Sequence, residues 1–142
     1  MKNYLFLVLT SLCLMAAGCD YKGVPVEYAH ICDKANDKKT VEATGFFNNT
    51  GSAMCSKSGN EPMRCPIDFV EAPGAANPIR AYIDKGSGAS SIDNIEEKGL
   101  KIRDKDNNFV ENSEKVKVTA SVKRLDNAGV DGCYITVKKI EK

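Results

Sequence analysis

The spacing of apolar positions changes several times along the chain. Val24, Tyr28, Ile31 and Ala35 recur at steps of four, three and four, Pro25 suits a first turn, and Glu27 suits the positive end of a helix dipole. This predicts a short N-terminal helix over residues 26–36. From residue 39 the period falls to two. Val41, Ala43 and Gly45 alternate with Thr40, Glu42 and Thr44 up to Phe46-Phe47, and Asn48-Asn49-Thr50-Gly51 follows, so a strand ends in a turn. Residues 52–57 and 63–71 are expected to form the arms of a hairpin, with Pro66 placing the second arm at an edge or a bulge. A loop at 72–78 leads to a short strand at 79–83, a Gly/Ser-rich stretch at 85–90 and a helical turn at 91–98. Residues 100–103 and 109–110 make a hairpin around Asp104-Lys105-Asp106-Asn107-Asn108. Val116, Val118, Ala120 and Val122 then face one way along a strand. Ile135, Val137 and Lys139 oppose Tyr134, Thr136, Lys138 and Ile140 along the last strand, with a turn through 126–132 between the two. The pattern is mainly β.

The first residues do not belong to this pattern. Met1-Lys2-Asn3 precedes an apolar run from Tyr4 to Ala17, too short to span a bilayer as an ordinary helix and suited to the hydrophobic part of a secretory signal. It ends in Leu14-Met15-Ala16-Ala17-Gly18-Cys19, which resembles the bacterial lipobox. The resemblance implies cleavage before Cys19 and a diacylglycerol on its thiol, and the fully acylated cysteine would anchor stably. Asp20, directly after it, occupies the place that retains enterobacterial lipoproteins in the inner membrane. The expected organisation is a lipoprotein signal peptide at 1–18, a lipidated tether at 19–25 and one folded domain at 26–142. The expected location is the periplasmic face of the inner membrane, with the outer membrane as the alternative.

Charge removes one class of partner. The chain has 20 Lys and Arg against 19 Asp and Glu, and loss of Lys2 with the leader leaves 19 of each. A balanced domain carries no electrostatic footprint for nucleic acid. A hydrophobic fraction of 42% over 142 residues is enough for one modest core and excludes disorder throughout.

Of six cysteines, Cys13 leaves with the leader and Cys19 takes the lipid. Cys32, Cys55, Cys65 and Cys133 remain, an even number outside the cytoplasm, and suggest two disulfides. Three connectivities are open to four cysteines. The turn-rich stretch between Cys55 and Cys65 favours that pair across a hairpin, which leaves Cys32 with Cys133. An alternative use of the same region is copper binding through the cysteines, Met54, Met63 and His30, a soft donor set. Their spacings match no metal signature, so no metal or other cofactor is expected.

Catalysis has no candidate set. His30 is the one histidine, no serine sits in a GxSxG elbow, and oxidised cysteines are not nucleophiles. Asp104-x-Asp106-x-Asn108 begins like a calcium loop, yet Phe109 replaces the required glycine and Lys115 the bidentate glutamate, so a hairpin turn is expected. Asp93, Glu96 and Glu97 read as a solvated face. The chain is expected not to be an enzyme.

The order of these elements, with the strand Glu-Ala-Thr-Gly-Phe-Phe, the cysteine-bridged pair and the final strands Val116 to Val122 and Gly132 to Ile140, resembles the OB-fold. More narrowly it resembles small bacterial OB-fold lipoproteins of the tRNA_anti-like type. The resemblance implies a five-stranded barrel with a short N-terminal helix, stapled by disulfides. In such a barrel the ends of the first and last strands approach, in keeping with a Cys32 to Cys133 bridge. OB-folds bind oligonucleotides or oligosaccharides across strands 2 and 3. Residues 52–68 hold no aromatic side chain on which bases could stack. Phe46, Phe47 and Phe69 are the candidate ligand contacts, Phe46 and Phe47 pointing to opposite faces of one strand. The expectation is a membrane-anchored, non-catalytic module that binds an envelope protein or glycan.

Overall fold

A computed structural model describes residues 21–95, 98–126 and 132–142. The leader, Cys19, Asp20, Glu96, Glu97 and most of the turn expected through 126–132 lie outside the described residues. The strands are β1 (Val24–Pro25), β2 (Thr40–Asn48), β3 (Arg64–Val70), β4 (Ile79–Asp84), β5 (Ile92–Ile95), β6 (Gly99–Arg103), β7 (Phe109–Val110), β8 (Val116–Arg124) and β9 (Cys133–Glu141). Five of them close a barrel in the order β2-β3-β4-β9-β8, with β8 returning to β2. Neighbours run antiparallel except β4 and β9, which are parallel. This is a disulfide-stapled, OB-like Greek-key barrel.

Closure depends on β2 serving two partners. Its first six residues pair with β8 and its last three with β3. The change of partner falls at Gly45. A Cβ there would lie 2.6 Å from the Phe69 ring and 2.6 Å from the Val70 carbonyl oxygen, so only glycine lets β3 approach this closely. The expected second hairpin arm is β3, and the first shrinks to a bridge in which Ser56 and Arg64 exchange both backbone bonds. Pro66, two residues on from Arg64, turns its nitrogen toward that same side, away from the β4 ladder, so it costs β3 no bond to β4.

In three places the structure departs from the periodic pattern. Residues 26–36 form two 3-10 turns, Tyr28–His30 and Lys34–Asn36, instead of one helix. Asp33 between them is extended, and the Cys32 carbonyl accepts from the Arg124 guanidinium instead of from a following turn. Ile31 is the fully buried residue of the segment, too little to hold a helix in place. Residues 92–95 form strand β5 where a helical turn is expected. Gly99, at φ +67°, lets the chain double back so that β5 pairs with β6 and satisfies its backbone there. In β9, Thr119 opposes Lys139 but Ala120 opposes Val137, so Lys138 is an extra residue at a bulge. The bulge buries Ile140 and keeps Lys139 out of the core, reversing the strict alternation.

Both barrel ends are covered. The meander β5-β6-β7 contributes Ile92, Leu100, Ile102 and Val110 to the core and is bonded to Ile140 and Gly51, at the end where β4 and β9 finish. Ile31 fills the opposite end, beside the Cys32–Cys133 disulfide. Tyr28 seals the flank. Its hydroxyl donates to the Phe69 carbonyl at 2.8 Å and accepts from the Ile79 amide at 3.2 Å, while burial pushes its pKa up and keeps the proton it donates.

Candidate functional site

Alternation along β3, β4 and β9 sends every second side chain to the outer wall of the barrel. Register then sets these side chains side by side. Arg64 lies opposite Asp84, Asp68 opposite Arg80, and Tyr82 opposite both Pro66 and Thr136. On this wall a groove of about 260 Å³ runs beneath the β2–β3 loop, lined by Ser56, Ser58, Glu61, Pro62, Arg64, Tyr82, Tyr134 and Thr136. Its floor is the half-buried pair Tyr82 and Tyr134, rings edge to face at 5.3 Å and 81°. Such a pair is a rigid apolar surface with hydroxyls at its margin. The loop above is held by the Cys55–Cys65 disulfide, Cα atoms 4.1 Å apart, and by the Ser56–Arg64 bridge.

The cation in the groove is neutralised from within. Arg64 Nε donates to Asp84 Oδ1 at 2.8 Å and its terminal nitrogen to Glu61 Oε2 at 2.9 Å. Partial burial opposes its charge, but the hydrogen bond and field of Asp84, with Glu61 adding to them, outweigh that and raise the guanidinium pKa. On the same wall Arg80 pairs with Asp68 at 3.4 Å. Stacking surface, three hydroxyl side chains and a compensated cation suit an uncharged, hydroxyl-rich ligand and give a phosphodiester nothing to neutralise.

The candidate ligand contacts named from the sequence are not gathered here. Phe47 and Phe69 are 1% and 0% exposed and pack ring to ring at 5.5 Å in the core, so neither has a surface to offer. Phe46 faces outward, half-buried, on β2. The residues that do line the floor, Tyr82 and Tyr134, stand at outward positions of period-two strands. Only the parallel β4–β9 pairing brings them together. The cysteines are joined as Cys32–Cys133 and Cys55–Cys65. Met54 is 90% exposed at a loop, and His30 Nδ1 sits 2.9 Å from Asp33 Oδ2. No three His, Cys, Asp or Glu side chains gather as metal ligands among the described residues.

Asp104 holds the β6–β7 turn. It is 2% exposed, and its Oδ1 accepts from the amides of Asp106 at 2.9 Å and Asn108 at 2.8 Å. Burial opposes its ionisation, but the bonds from Asn108 and Asp106 prevail and hold the carboxyl below the usual range. A folded-state pKa below the unfolded one stabilises at all pH above the unfolded value and stops doing so as pH falls through the folded value. Asp104→Asn is therefore expected to cost about 1–2 kcal/mol at neutral pH, a difference that shrinks below about pH 4. Urea titrations of both proteins across pH 2–7 check this, and a gap independent of pH would refute it.

No family model matches the chain, and none of the curated proteins does. Among solved structures it is similar to a protein described as a putative aspartyl-tRNA synthetase from Leishmania major Friedlin, with 14% identity and a TM-score of 0.47. That match covers 89% of this chain and 22% of the other, so the chain spans about a fifth of that protein's length.

Proposed function

We propose that this chain is a membrane-anchored, non-catalytic binding module, akin to the small bacterial OB-fold lipoproteins of the tRNA_anti-like type, whose groove takes a glycan of the cell envelope. In this reading Cys19 carries the lipid and Asp20 keeps the protein on the periplasmic face of the inner membrane. The observation that carries it is the groove itself. Tyr82 and Tyr134 offer apolar ring surface of the kind on which the C–H face of a sugar lies. Ser56, Ser58 and Thr136 supply hydroxyls, and the Glu61–Arg64–Asp84 cluster supplies fixed donors and acceptors. The groove has room for a sugar or two, not for a long polymer enclosed on all sides.

The test is a titration of the mature protein with uncharged soluble glycan fragments, N-acetylglucosamine oligomers, followed residue by residue by NMR. Shifts are expected at Tyr82, Tyr134 and Arg64, and Tyr82→Ala is expected to weaken binding by about tenfold or more, as buried aromatic anchors do. Phe46→Ala, outside the groove, is expected to bind as the wild type does. Binding that survives Tyr82→Ala unchanged, or no binding of these oligomers, would overturn the proposal. Native pull-down would then ask for a protein partner.

A further inference from the structure

We infer that one face of the barrel, where β1 lies beside the start of β2 and the end of β8, rests on an anionic phospholipid surface, with the groove opening beyond its margin. The inference rests on the acylation of Cys19 proposed above. From Gly23 onward the chain is fixed to the barrel. The Gly23 amide donates to Glu42 Oε1 at 3.3 Å, and a Cβ on Gly23 would meet the Val41 carbonyl carbon at 2.5 Å. Val24 and Pro25 pair with Val41 and Glu42, although they belong to the expected tether, and the Val26 amide donates to the Glu42 carbonyl. Cys19 is four peptide steps from Gly23, a reach of at most about 14 Å in any conformation. That is no more than the radius of gyration of a domain this size, about 14 Å, so the barrel has no room to swing free of the lipid.

The surface at that place has the matching chemistry. Tyr21 and Val24 are 47% and 57% exposed, apolar groups next to the anchor. Lys39 comes two residues before Val41, the partner of Val24, and Lys38 and Lys39 exchange backbone bonds with Val122, beside Lys123. Lys22, Lys38, Lys39 and Lys123 are exposed, and none makes an ion pair among the described residues. The nearby carboxylates are held within the protein, Glu42 by the Gly23 amide, Asp37 by the Arg124 amide, Asp33 by His30 and Asp126 by the Arg124 side chain. Bonds with the two backbone amides orient Glu42 and Asp37 without removing their charge, and Glu27 has no such partner among the described residues. Free lysines beside exposed aromatic and aliphatic groups are the composition that settles on acidic headgroups. In the barrel order β4 has no ladder to β2 or β8, so Tyr82 stands away from this face, whereas Tyr134 lies opposite Lys123 across the β8–β9 ladder and marks where the groove floor meets its margin.

Amine-reactive footprinting tests this. The acylated protein on vesicles of phosphatidylethanolamine and phosphatidylglycerol is compared, peptide by peptide, with leaderless Cys19→Ala protein in solution. Lys38, Lys39 and Lys123 are expected to react about fivefold more slowly on the vesicles, Lys57 and Lys85 at unchanged rates. A long Gly-Ser insertion between Asp20 and Tyr21 is expected to restore the first three. Acylated, vesicle-bound protein whose Lys38, Lys39 and Lys123 react as in Cys19→Ala would overturn the apposition alone. A Cys19 peptide without acyl mass would overturn the anchor, and the apposition with it.

Discussion

Replacing Cys32 and Cys133 together by alanine is expected to lower the unfolding free energy by about 4–5 kcal/mol, against about 3 kcal/mol for the Cys55 and Cys65 pair. The first bridge spans 101 residues of sequence and the second 10, and in the chain-entropy account the longer loop constrains the unfolded chain more. The longer bridge also ties down the segment that carries Ile31 into the end of the barrel, so its removal frees a plug as well as a loop. A domain of this size has about 5–15 kcal/mol in all, so the double variant is expected to lose a large part of its margin. Urea unfolding of wild type and both double variants measures the two costs. Equal costs would mean that native-state strain or residual structure, not loop length, sets them.

Phe69→Ala is expected to cost about 3–5 kcal/mol. The side chain is fully buried, with its ring 5.5 Å from that of Phe47 and 5.7 Å from that of Tyr28, and its tip lies where Gly45 leaves space for it. Truncation therefore opens a void at the point where β2 passes from one partner to the other, and the rings around it have little freedom to collapse inward. Phe69→Leu, which keeps most of the volume, is expected to cost less than half as much. The pair of variants separates a core role from ligand contact. If Phe69→Ala kept wild-type stability and lost glycan binding, Phe69 would be a groove residue and the packing account would be wrong.

Half-buried strands write their burial into alternate positions, so β2, β6 and β8 stand out in the sequence, and the turn formers between Cys55 and Cys65 mark the short bridge. Other features are settled by contacts between distant parts of the chain. The spacing of Val24, Tyr28, Ile31 and Ala35 suits a helix, but the Cys32–Cys133 bridge and the Arg124 bond to the Cys32 carbonyl set the backbone there. The bulge at Lys138 shows only once β8 is laid against β9. The groove is hidden for the same reason. Phe46 and Phe47 are conspicuous as neighbours in sequence, whereas Tyr82 and Tyr134 become neighbours only through the parallel ladder of β4 and β9. Of the aromatic residues conspicuous in sequence, Phe47 and Phe69 went to the core and Phe46 to another part of the surface, and the groove wall was furnished by residues that look ordinary one strand at a time.

The place of β9 between β4 and β8 sets the order of events during folding. Both of its edges are occupied, one by the parallel partner and one by the antiparallel partner, and it follows the other described strands in sequence. Until residues 133–141 are in place, β4 and β8 each hold an unsatisfied strand edge, the kind that recruits other chains. The barrel therefore completes only when residues 133–141 dock, whatever has folded before them. Its ladders join residues far apart in sequence, the class of topology that folds slowly.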